Sequence, residues 1–161
     1  MRKVLGTILI LAAAATSSAA FGDDAAQCHA SAGTYRSGVV VKGPKFAHGQ
    51  FRKGVELSHT HLKLKADQDG QVYDVAIDNV FADGYVANSR GVPASLGAIH
   101  VHDRLELCGQ LYTTGVGIHW THTNCGQKPT PAHPDGWIKQ VAANGTAGAN
   151  LENNPQYCSL F

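Results

Sequence analysis

The 161 residues carry 13 Lys and Arg against 12 Asp and Glu, a formal charge of only +1 at neutral pH, and 43% of positions are hydrophobic. Such a balance argues against broad electrostatic capture of nucleic acid, which needs a basic face. The length suits one domain with its own core and is short for two.

Met1-Arg2-Lys3 is a positive start, Val4 to Ala15 is an uncharged apolar run, and Ser18-Ala19-Ala20 is a small-residue site before Phe21. That is the layout of a secretory signal over residues 1–20. Its apolar run is shorter than the roughly 20 residues a membrane helix needs, and no second run of that length follows. The expectation is an exported chain, periplasmic or extracellular, with no membrane span after signal removal. Loss of Arg2 and Lys3 leaves eleven bases against twelve acids, a charge of −1.

Residues 21–33 are small and polar and read as a flexible lead-in. A β domain is expected over 34–141, followed by a tail over 142–161. Val39, Val40 and Val41 form a β-branched strand that Gly43-Pro44 is expected to end. Thr60, Leu62 and Leu64 then alternate with His59, His61, Lys63 and Lys65. Asp67-Gln68-Asp69-Gly70 turns the chain, and Tyr73, Val75 and Ile77 resume the alternation. Period two puts the leucines on one face of this hairpin and both histidines on the other.

Asn79 to Leu96 reads as a long loop with one short helical turn near Val80 to Ala82. A second hairpin is expected over Ile99 to Thr121: Ile99 and Val101 alternate with His100 and His102, Gly109 marks a bulge, and Thr113 to Gly117 form the turn. Pro129, Pro131 and Pro134 exclude a regular central strand. The fold class is therefore all-β and mainly antiparallel, a small OB-like barrel of about five strands with long loops.

Cys28, Cys108, Cys125 and Cys158 all lie beyond the signal, and in an oxidising compartment two disulfides are the default. Three pairings are open to four cysteines. The reading favours Cys108 with Cys125 across a hairpin, leaving Cys28 and Cys158 to tie the chain ends and tether the tail.

Nine histidines are present, six of them in pairs. On a strand, the H-x-H pairs His59/His61 and His100/His102 each set two imidazoles on one face about 6 to 7 Å apart. Either pair is a candidate additional metal site, with a solvated strand face as the plainer reading. The main candidates are His119, His122, His133 and Asp135, which fall in a short proline-stiffened stretch, with Trp120 and Trp137 as surrounding walls. Nitrogen donors with one carboxylate suit Zn²⁺ first, and Mn²⁺, Cu²⁺ or Ni²⁺ as alternatives. His29 and His48 stand alone as surface residues.

Ile118-His119-Trp120-Thr121-His122 and His133-Pro134-Asp135-Gly136-Trp137-Ile138-Lys139 carry a resemblance. They resemble a family of small exported bacterial proteins, a domain of unknown function, with a His-Trp-Thr-His strand end and a His-Pro-x-Gly-Trp turn. The similarity runs over roughly residues 58–139 and implies an OB-like barrel, with no activity to carry over. The chain departs from that pattern at Thr123 and Asn124, where such proteins commonly have His and Asp, and its segment between the motifs is longer and includes Cys125.

Three functions compete. The first is an exported protein that captures zinc or manganese through the histidine cluster and hands it to an outer-membrane uptake receptor. The second is a metal-dependent hydrolase of the phosphodiesterase or nuclease kind, with Asp135 or Glu106 as base. The third is a metal-free OB-like module for oligosaccharide, oligonucleotide or protein. No nucleophile elbow or phosphate loop is present, and no catalytic residue is assigned.

Overall fold

A computed structural model describes residues 19–161. The signal peptide expected over 1–20 lies, except for its last two positions, outside the described residues. The elements in order are helix α1 (Ala19–Ala30) and strands β1 (Thr34–Ala47), β2 (Phe51–Arg52), β3 (Val55–Glu56), β4 (His59–Ala66) and β5 (Val72–Asp78). A 3₁₀ turn (Asn79–Phe81) and helix α2 (Ala94–Gly97) follow, then β6 (Arg104–Leu111), β7 (Gly117–His119), β8 (Trp137–Val141) and a 3₁₀ turn (Pro155–Leu160).

The Leu62/Leu64 and Val75/Ile77 alternation produces the expected hairpin of β4 and β5, with His59 opposite Asp78 and Lys65 opposite Val72. The sheet runs β1-β4-β5-β7-β6 and closes through β1 with β6, while β8 adds to β6. Every pairing is antiparallel except β5 with β7. Counting only the five barrel strands, the order is first, second, third, fifth, fourth and back to the first, which makes this a closed OB-like barrel.

One face of each strand fills the barrel. Val40, Leu62, Leu64, Val75, Ile77, Leu105, Leu107, Ile118 and Ile138 form a single buried cluster, joined by Leu96 and Ile99 from the long β5–β6 connection. Burying each such side chain contributes about 1.5–3 kcal/mol, so this face fixes the register and sends the alternate residues outward.

Several expectations are corrected. Strand β1 does not stop at Gly43-Pro44 but continues to Ala47, with register shifts after Val40 and Lys42. The irregularity lets Pro44 stay in the strand, since an unpaired bulge position needs no ladder hydrogen bond. Gly109 is not a bulge; it is a point of close approach, where an added Cβ would lie 2.4 Å from the His119 carbonyl oxygen. Residues Ile99 to His102 form no strand, because Ile99 anchors a turn instead. Where a flexible lead-in is expected, α1 occupies Ala19–Ala30.

The disulfides are Cys28–Cys108 and Cys125–Cys158, not Cys108–Cys125 and Cys28–Cys158. Cys108 lies in β6 beside β1 and β8, and it meets α1 in a small cluster with Tyr35 and Trp137. Cys125 faces the C-terminal 3₁₀ turn, so the tail is tethered to the loop after β7 rather than to the start of the chain.

Candidate functional site

Parallel pairing of β5 with β7 brings the ends of both strands to one side of the barrel, where β4 begins. The outward row of β4 is His59, His61 and Lys63, and its partners on β5 are Asp78, Ala76 and Asp74. On β7, Gly117 stands beside Asp74 and Ile118 beside Val75, which sets His119 alongside Ala76. Imidazoles and carboxylates therefore alternate over three adjacent strands, with the small Ala76 between His61 and His119.

Asp78 is the centre of this array. Its Oδ1 lies 2.7 Å from His59 Nε2 and its Oδ2 lies 3.1 Å from His122 Nε2. Burial pushes the Asp78 carboxyl up, but the two imidazoles outweigh that and hold it well below the usual carboxylate range. The same contact raises His59. His119 is pushed down by burial, reinforced by the charges of His122 and His59 and opposed by Asp78.

His122 is locked. Its ring stacks on Phe81 at 4.0 Å with 9° between the planes, and it is only 1% exposed. Nδ1 lies 2.7 Å from the Thr123 carbonyl oxygen, which can only accept and so fixes a proton on Nδ1. Nε2 faces Asp78 but is not aligned for a hydrogen bond. Trp120, two residues earlier, has a left-handed backbone with φ of 55°, a strained conformation for a bulky residue, costing about 1–3 kcal/mol.

The other sequence candidates are dispersed. His133 is exposed and rests on the Trp120 ring at 4.7 Å. Asp135 accepts a hydrogen bond from the Asn124 amide at 2.9 Å, a structural role. Trp137 packs with Tyr35 and the Cys28–Cys108 pair, while Trp120 alone borders the histidines. His61 pairs with Asp74 at 2.9 Å, and Asp74 also takes Lys63 at 3.1 Å and the Tyr112 hydroxyl at 3.0 Å. His100 and His102 are exposed on a turn; His100 stands 3.9 Å from Asp103. Glu106, considered as a base, is buried under α1 and accepts from the Tyr35 hydroxyl. Among the described residues, no group of three or more His, Cys, Asp or Glu side chains is arranged to hold a metal ion.

Asp78 is the residue the sequence reading missed. The turn at Asp67–Gly70 fixes the hairpin register, and counting outward from it reaches Asp78 opposite His59. Glu152 is also missed, and no local pattern signals it. It is fully buried, neither carboxylate oxygen has a hydrogen-bond partner, and burial together with Asp78 and Asp83 pushes its carboxyl well above the usual range.

Beside His122 lies a cleft of about 330 Å³, lined among others by Arg52, Phe81, Trp120, His133 and Phe161. Fold and site together define a disulfide-stapled OB-like barrel with a histidine–carboxylate cluster at one end. No protein-family model matches the chain, and no curated protein or solved structure matches it significantly.

Proposed function

We propose that the chain is an exported divalent-metal-binding protein, with zinc the favoured ion, and that Asp78, His59, His122 and His119 are its ligands. The observation that carries this reading is the wiring of His122. A ligating histidine normally donates its second N–H to a carbonyl or carboxylate, and Nδ1 does so to Thr123 at 2.7 Å. That leaves Nε2 turned toward the Asp78 carboxylate, off the line of a hydrogen bond.

The present spacing is that of direct ion pairs, 2.7 and 3.1 Å at Asp78, and among the described residues no three such side chains already surround an ion. Two donors each about 2.0–2.1 Å from a tetrahedral Zn²⁺ stand about 3.3 Å apart, so binding requires these pairs to open and His59 to give up its Nε2 proton. His119, held edge-on against Tyr112 at 5.4 Å, turns in as a further donor. Asp78 thus takes the part the sequence reading gives to Asp135, and His133 stays outside the ligand set.

Two disulfides fit an oxidising compartment, and among the described residues no helix is long and apolar enough to cross a membrane. The disulfides accord with export. The His133–Trp137 turn meets the His119–His122 segment through the Gly136 amide, which donates to the His122 carbonyl. Untagged protein is expected to retain close to one zinc per chain, and the apo form is expected to melt higher once Zn²⁺ is added. Protein that binds neither Zn²⁺ nor Mn²⁺ rejects the reading.

A further inference from the structure

The cleft beside His122 shares that imidazole with the metal reading and is otherwise built from parts the metal reading does not use. Its volume, about 330 Å³, lies at the lower end of the range for small-molecule sites. Phe81, Trp120 and Phe161 supply three aromatic rings, with Trp120 6.2 Å from Phe161 and Phe81 5.0 Å from it. Arg52 lies over Phe161, its guanidinium carbon 5.4 Å from the ring centre.

These walls are fixed before any ligand arrives. The Cys125–Cys158 disulfide joins the loop after β7 to the C-terminal 3₁₀ turn. Trp120 and Cys125 both hold left-handed backbones, at φ of 55° and 61°. Strain of that kind persists only where the surroundings over-determine it, and it gathers at ligand clamps. A rigid cleft loses little conformational entropy on binding.

The polar inventory sets the ligand's chemistry. Among the described residues no Asp or Glu lines the cleft. Asn124 donates to the Gln127 carbonyl and Thr123 accepts from the Cys125 amide, and the Gln127, His122 and His133 side chains complete the polar lining. Arg52 gives one nitrogen to the Leu160 carbonyl and keeps further N–H donors. The Trp120 indole N–H is buried without an acceptor. Arginine only donates, so the cleft pairs an aromatic wall with a positive charge that keeps free donors.

We infer that this cleft binds a planar organic anion, its ring system against the aromatic wall and its carboxylate or phosphate on Arg52. Arginine favours this arrangement because its fork takes two acceptor oxygens at once. The site shares only His122 with the metal reading, and it is tested on chelator-treated protein so that its failure and the failure of that reading are distinguishable.

The experiment follows the two indole N–H signals by NMR while the full chain lacking only residues 1–20 is titrated with 2-naphthoate or with the neutral 2-naphthalenemethanol. Saturable movement of the Trp120 signal by naphthoate is expected, with a dissociation constant at or below about 1 mM and the Trp137 signal unmoved. The alcohol is expected to bind at least about tenfold more weakly. Arg52→Met should erase that preference, while Arg52→Lys should keep most of it. The alcohol and naphthoate probes on the unaltered protein decide the matter even if an Arg52 variant fails to fold. Equal binding of both probes, movement of Trp137 instead of Trp120, or no saturable response would overturn the inference.

Discussion

Gly136 donates its amide hydrogen to the His122 carbonyl at 2.8 Å, and a methyl group there would lie 2.2 Å from the Trp120 carbonyl oxygen. The two halves of the histidine motif are thus interlocked through backbone. Glycine is required for the closeness of the approach. Substitution Gly136→Ala must push the turn away from Trp120 and His122, costing about 2–3 kcal/mol. A denaturation midpoint unchanged in that variant would refute the bracing role.

Asp78 holds two imidazoles, and its removal strands both. Asp78→Asn keeps the volume but loses the charge, and breaking a largely buried pair of this kind costs about 3 kcal/mol. Urea denaturation of the metal-free protein reads that cost without interference from ligand binding. The corresponding change at Asp135, Asp135→Asn, retains an acceptor for the Asn124 amide and should cost less than about 1 kcal/mol. Equal losses at both positions would mean that Asp78 has no special place.

Far from the histidines, Glu106 gives the protein a pH dependence of definite sign. Burial and the neighbouring Asp24 raise its carboxyl to about 7, opposed by Tyr35 and Lys139. The folded state therefore keeps a proton that the unfolded chain releases near the ordinary value of 4.5. Stability from this group is full below that value, falls as pH rises toward 7, and is flat above. Melting temperatures at pH 5 and pH 7.5 should differ less in Glu106→Gln than in the unaltered protein. An identical difference in both would assign the dependence elsewhere.

The Cys125–Cys158 bond closes a loop with a sequence separation of 33 residues. Opening a loop of that size costs about 3–4 kcal/mol on the chain-entropy account. The double variant Cys125→Ser/Cys158→Ser should lose roughly this amount in chemical denaturation, and it frees the 3₁₀ turn that carries Phe161. Hydrogen exchange should then quicken in residues 155–160 while β4 and β5 stay protected. Uniform loss of protection across the barrel would show that the bond supports the whole fold.

The barrel was legible where one face of a strand is buried, because period two survives there: the β4–β5 hairpin and its outward histidines follow from Leu62, Leu64, Val75 and Ile77. Strand β8 was not, since Trp137 to Val141 has too few residues to display a period and gains its partner from β6, some thirty positions away. The disulfide pairing depended on where α1 docks, which no local pattern encodes. The site divides in the same way. His119 and His122 stand out by composition, and Asp78 follows from hairpin arithmetic. Glu152, Arg52 and Phe161 reach the site only through long-range packing. Asp135 and Trp137 show that nearness in sequence to His133 is not nearness in space to His122: Asp135 meets the Asn124 amide and Trp137 packs with Tyr35.

Metal content per chain tests the central claim most directly. Elemental analysis of untagged protein, alone and as His59→Ala/His122→Ala, is predicted to give close to one zinc in the first and almost none in the second. Circular dichroism must show the variant still folded. Protein without bound metal that also fails to take up Zn²⁺ or Mn²⁺ on dialysis, or a folded double variant that retains its full complement, would contradict the account.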